Sequence, residues 1–116
     1  DLYSELKRRL GDQMSALVKS GKKNIVLYGS GELCEIACIL TSKNHGTIVS
    51  VIDDEKAGNR ICGLKIRNNS EINPQMCDLV FITTLEPPDM VRNNLIAMGV
   101  PSHKIVSLYP DSESGQ

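Results

Sequence analysis

The residues of this chain that could do chemistry are suited to binding rather than to bond-making. Residues 24–35 read NIVLYGSGELCE, an apolar run that meets Gly29-Ser30-Gly31 and then a helical pattern. Gly29 permits a tight turn, and Gly31 lets backbone approach a ligand with no Cβ in the way. The helix that opens at Glu32-Leu33 offers unpaired N–H groups to an anion. Asp53, 22 residues beyond Gly31, and Asp54 close the next apolar run. An acid there accepts a ribose hydroxyl and repels a 2′-phosphate; alternatively, the pair simply begins a polar turn. Thr83 and Thr84 end a third apolar run, as ligand contacts or as an ordinary strand end. The candidate site is therefore Gly29, Ser30, Gly31, Glu32, Leu33, Asp53, Asp54, Thr83 and Thr84. Its expected occupant is a small nucleotide-like ligand, with NAD or a nucleotide-sugar as the cofactor class.

Two departures weaken a dinucleotide site. Cys34 stands where the third glycine of the fingerprint is usual, and it separates helix and strand slightly. Glu32 and Glu35 occupy the first helical turn and suit its positive end without any ligand, while no Lys or Arg lies in the turn to meet a pyrophosphate.

No catalytic set emerges. Tyr3 and Lys7 match Y-x-x-x-K, but they precede the first strand, where a chance helical pair is the better account. His45 and His103 fall on the edge away from the C-terminal ends of the strands. No Ser-His-Asp set, paired-carboxylate cleft or G-K-[ST] motif is present. Of the four cysteines, Cys34 and Cys38 are spaced to share a helix face. With Cys62 and Cys77 they form no C-x-x-C pair and no evident metal set. They read as buried, reduced, small apolar side chains of a cytoplasmic protein.

The elements that must position these residues follow from periodicity. Leu2, Leu6, Leu10, Met14, Leu17 and Val18 recur at helical spacing over 2–19. Strands are expected at 24–28, 47–52, within 57–66, at 78–83 and at 104–108. Helices are expected at 31–43 and from Pro87 to Met98, proline suiting a first turn. A single helical turn is expected at 70–73, and a frayed polar tail from Pro110. Strands apolar throughout and alternating with helices argue a parallel sheet covered on both faces. The expected fold class is α/β: a Rossmann-like three-layer domain with a mostly parallel five-stranded sheet of order 3-2-1-4-5, plus an N-terminal helix. The divisions expected are an N-terminal helix at 1–21, for linking or dimerisation, a nucleotide-binding domain at 22–110, and a disordered tail at 111–116. The connection into the third strand lacks a helix, so one face should be thin there.

At 116 residues and a formal charge of −1 the chain is one domain with no electrostatic footprint for nucleic acid or an anionic membrane. No apolar run is long enough to span a bilayer, and no signal peptide is evident. Phe81 is the only Phe and Trp is absent, so the core is aliphatic. A start at Asp1 rather than Met suggests a piece of a longer protein.

The stretches LYGSGELCEIA, VIDDEKAG, NRICGLKI and LIAMGVPSHKIVSLYP resemble the small Rossmann domains that begin nucleotide-sugar 4,6-dehydratases and related sugar enzymes. They also resemble CoA-binding modules and domains that follow a winged helix in bacterial regulators. The resemblance covers about three quarters of the chain, is specific for fold and weak for function. It implies a non-catalytic module that binds or senses a nucleotide, nucleotide-sugar or CoA-like ligand, possible parents including a transcriptional regulator. The alternatives are the N-terminal module of an NAD-dependent dehydratase or epimerase, and a degenerate scaffold that binds only protein. Apolar surface left on the first helix would favour a homodimer.

Overall fold

The computed structural model describes residues 2–107, with Leu2 and Tyr3 described by backbone alone. The tail from Pro110, the end of the last expected strand at Leu108, and the Tyr3 hydroxyl lie outside the described residues.

Helix α1 (Leu2–Lys19) is followed by strand β1 (Asn24–Tyr28), helix α2 (Glu32–Lys43) and strand β2 (Thr47–Ile52). Two short strands, β3 (Arg60–Ile61) and β4 (Leu64–Arg67), precede β5 (Leu79–Ile82), helix α3 (Pro88–Ala97) and β6 (Ile105–Ser107). The sheet runs β3-β4-β2-β1-β5-β6. Every pairing is parallel except the β3–β4 hairpin. Among the described residues the sheet thus has six strands rather than five. The single extended segment expected within 57–66 folds back on itself, because Cys62 (φ 56°) and Gly63 (φ 77°) both take left-handed backbone and make a two-residue turn.

The crossover from β4 to β5 carries no α-helix. It is made of two single 3-10 turns, Asn69–Glu71 and Pro74–Met76, each opened by an asparagine that accepts a main-chain N–H two residues on. Ile72 and Cys77 of this segment join the core, so small side chains replace a helix on that face.

One face is covered by α1 and α2. Leu6, Leu10, Met14 and Val18 of α1 meet Leu33, Cys34 and Ala37 of α2 and Ile25, Leu27, Val51, Leu79 and Phe81 of the sheet. These four α1 residues are at most 7% exposed. At these four positions the apolar stripe of α1 is covered by the chain's own sheet and second helix. The opposite face packs Val91 and Leu95 of α3 on Val26, Val80, Ile82 and Ile105. Among the described residues no helix is long and apolar enough to cross a membrane.

Candidate functional site

The C-terminal ends of β1, β2 and β5 meet at one edge of the sheet. Two adjoining clefts open there and share Gly29, Asp53 and Thr84. The first, about 250 Å³, is lined also by Tyr28, Ile52, Asp54, Glu55 and Glu86. The second, about 270 Å³, is lined also by Ser30, Gly31, Glu32, Leu33, Thr83 and Leu85. All nine residues expected from the sequence line this double cleft, but what they do there differs.

Gly29 is required by the fold itself. Its φ is +116°, and a Cβ built on it would lie 2.7 Å from the main-chain nitrogen of Thr84. The turn is pressed against the end of β5, where Thr83 and Thr84 both donate main-chain N–H to Tyr28 O. Gly31 is the opposite case. Its φ is −89°, and a Cβ there would meet nothing within 4 Å. It stands at the N-cap of α2, and no side chain caps the helix. Serine, asparagine or aspartate is favoured at such a position. A glycine with neither a turn nor a contact to explain it leaves the helix N–H groups open toward the cleft. Leu33 is 4% exposed and its side chain belongs to the core, so what it has to offer a ligand is main chain.

The acids are partly engaged. Asp53 Oδ2 accepts the Ser30 hydroxyl at 2.7 Å and the Ser30 N–H at 3.3 Å, while Oδ1 accepts Glu55 N–H at 3.1 Å. It therefore ties the glycine turn to a 3-10 turn at Asp54–Lys56 that it also caps. Asp54 accepts both the main-chain and side-chain N–H of Asn69, at 2.6 and 2.9 Å. Thr83, 3% exposed, donates its hydroxyl toward Tyr28 O and Gly29 O, at 3.1 and 2.9 Å. Asp54 and Thr83 thus have structural duties, as the alternatives of a polar turn and a strand end imply, while both still line the cleft. Thr84 Oγ1 accepts Glu86 N–H at 3.2 Å and is likewise engaged in its own loop.

Tyr28, Glu55 and Glu86 were not singled out from the sequence. Tyr28 precedes Gly29 and Glu55 follows Asp53-Asp54, and that adjacency is the available signal for those two; Glu86, two residues beyond Thr84, has none. The Tyr28 hydroxyl is held above its usual titration range, first by burial and then by the charges of Asp54, Glu86 and Asp53, with Asn69 opposing. Among the described residues the clefts carry five carboxylates (Glu32, Asp53, Asp54, Glu55, Glu86), and no Lys or Arg lines them. Their field is negative. It suits hydroxyl and N–H donors, and a pyrophosphate has only the uncapped start of α2 to face.

The cysteines depart from expectation. Cys38 of α2 and Cys62 at the hairpin tip are joined by a disulfide, with Cα atoms 6.5 Å apart. The reading of all four as reduced apolar side chains holds only for Cys34 and Cys77, which are free and buried. The cysteines consequently supply no argument for a reducing compartment. Burial, together with the charges of Glu35 and Asp53, pushes the Cys34 thiol up to about 12, so at neutral pH it is a poor nucleophile.

Compared with curated proteins, the chain matches none. Residues 21–106 match the family described as C2185-like, N-terminal, a span from just before β1 to the middle of β6. On that match, which takes in both clefts and most of the chain, the protein belongs to the C2185-like N-terminal family.

Proposed function

We propose that this chain is a non-catalytic, Rossmann-like binding module of a larger protein, a nucleotide-like ligand being held by its ribose at the double cleft. The observation that carries the reading is Gly31. Nothing in the fold requires a glycine there, and a capping residue would stabilise α2. The vacancy above an uncapped helix start makes sense if a ligand comes close. Asp53 lies across the cleft, where it can exchange the Ser30 hydroxyl for a ribose hydroxyl. With five carboxylates and no cation around it, the site favours the sugar and base of a ligand over its phosphates. NAD, a nucleotide-sugar and a CoA-like ligand remain the classes to test, and NADP is disfavoured. A family described by its N-terminal position supports the reading of one module among others, a regulatory domain being one such setting.

A thermal-shift screen at millimolar NAD, NADH, NADP, UDP, UDP-sugars, ADP, CoA and S-adenosylmethionine tests it. A ligand at about 100 times its Kd adds roughly 2.7 kcal/mol, several degrees for a domain of this size. We expect a shift that is lost in both Asp53→Ala and Gly31→Asp. No shift with any ligand overturns the proposal.

A second reading, a scaffold that binds only protein, is favoured by the engagement of Asp53, Asp54 and Thr83 with their neighbours. In that case the cleft is closed by its own hydrogen bonds and the screen is silent. A homodimer would have to use a surface other than the α1 stripe, and light scattering on the wild-type chain measures it. Leu6→Asp or Leu10→Asp would report unfolding instead, since both side chains are core.

A further inference from the structure

Away from the cleft, the sulfur atoms of Cys34, Cys38 and Cys62 all lie within 4.8 Å of one another. A disulfide accounts for two of them. It leaves unexplained why a third, free sulfur stands against both. Cys34 and Cys38 are one turn apart on α2, and Cys62 is brought to them by the β3–β4 hairpin.

We propose that the reduced trio is a three-thiolate site for one divalent d10 cation of the zinc type. A tetrahedral zinc site with bonds of about 2.3 Å holds its sulfurs about 3.8 Å apart. The Cys34 sulfur therefore needs to close on the others by no more than about 1 Å, while the Cys38 and Cys62 sulfurs part by about 1.7 Å from bonding distance once the bridge is reduced. Access is from the exposed side. Cys62 is solvent-exposed at the hairpin tip, and a shallow groove of about 500 Å³ runs past it between Glu35, Ile39, Ser42 and Lys43. A water from that groove supplies the fourth ligand.

Two equivalents of a thiol reductant deliver two electrons and two protons to the Cys38–Cys62 bond and leave as their own disulfide. Three thiols then exchange three protons for one M²⁺, so the site carries a net charge of −1. A monovalent cation would leave −2 on a site that includes the buried Cys34, and is the poorer fit. In the oxidised chain the same position is a disulfide.

The 116-residue chain, reduced with a phosphine under nitrogen, is titrated with Co²⁺ and then Zn²⁺. A thiolate-to-cobalt charge-transfer band saturating at one ion per chain and displaced by Zn²⁺ is expected. Cys34→Ser and Cys62→Ser should each weaken Zn²⁺ by at least about 100-fold, with Cys77→Ser unchanged. Cys62 is exposed, so its variant keeps the test sound if the buried Cys34 variant fails to fold by circular dichroism. The proposal is overturned by absence of the band, by full affinity in Cys34→Ser, or by a Cys38–Cys62 bond that the phosphine does not open in the folded chain. The last result would make the bridge a purely structural tie between α2 and the hairpin.

Discussion

Each end of β1 is held by an aspartate, and the two differ in their surroundings. At the start of the strand, Asp78 accepts the main-chain N–H of both Lys23 and Asn24 through one oxygen, each at 2.9 Å. These bonds, the one from Asn24 first, aided by Lys22 and Lys104, hold its carboxyl below the usual range against an opposing burial cost. At the far end, Asp53 also accepts two N–H groups and a hydroxyl. Its neighbours in the cleft, however, are other carboxylates rather than lysines. The same side chain is therefore a strand anchor in one place and, in the other, an anchor among like charges. An acid kept where its own kind surrounds it is a candidate for work beyond the fold.

The largest effect on this comparison should come from neither aspartate but from the glycine turn at the far end of β1, which Asp53 holds. Gly29→Ala puts a Cβ into the Thr84 backbone at a positive φ and should cost roughly 3 kcal/mol in urea unfolding. A loss under about 1 kcal/mol would mean that the turn relaxes easily and is no fixed platform.

Asp78→Ala removes the acceptor for two main-chain donors and should cost about 1–2 kcal/mol, limited by exposure. Asp53→Ala should cost less, about 1 kcal/mol, because relief of repulsion among the cleft acids offsets part of the lost bonding. The reverse order would make Asp53 the more structural of the two and weaken its claim as a ligand contact.

Acid titration reads the first of these anchors, Asp78. The folded Asp78 carboxyl lies below its unfolded value, so its contribution is complete above about pH 4 and disappears as pH falls through the lowered folded value. Asp78→Asn should flatten that acid limb while leaving the stability curve between pH 5 and 7 parallel to wild type. An unchanged limb would show that other carboxylates dominate it.

The smallest effect is a gain. Gly31→Ser should raise stability by a few tenths of a kcal/mol by capping α2, in contrast to the loss at Gly29. A loss at Gly31 would reveal a backbone demand that the open space around it does not suggest, and would remove the main support for a ligand.

Much of the fold was legible locally. The helix at 2–19, the apolar runs, the glycine turn and the proline-opened α3 follow from periods of 3.6 and 2 and from φ requirements within a few residues. The candidate cleft residues were legible as a set, because strand ends at one sheet edge converge wherever parallel strands alternate with helices. Their individual roles were not. Asp54 finds Asn69 only once β4 lies beside β2, and Thr83 finds two carbonyls of the β1 end only once β5 lies beside β1. The hairpin at Cys62-Gly63 was hidden for a different reason, since a left-handed cysteine is not signalled by residue type.

The sequence by itself determined the helices, the strands that form most of the sheet and the glycine turn, since each depends on neighbours a few positions away. Only the tertiary structure decided that the α1 stripe is covered by its own domain, that Asp78 reaches back to Lys23 and Asn24, and that Cys62 meets Cys34 and Cys38. Those outcomes depend on distances between segments tens of residues apart, which sheet register and helix packing set and no local period encodes.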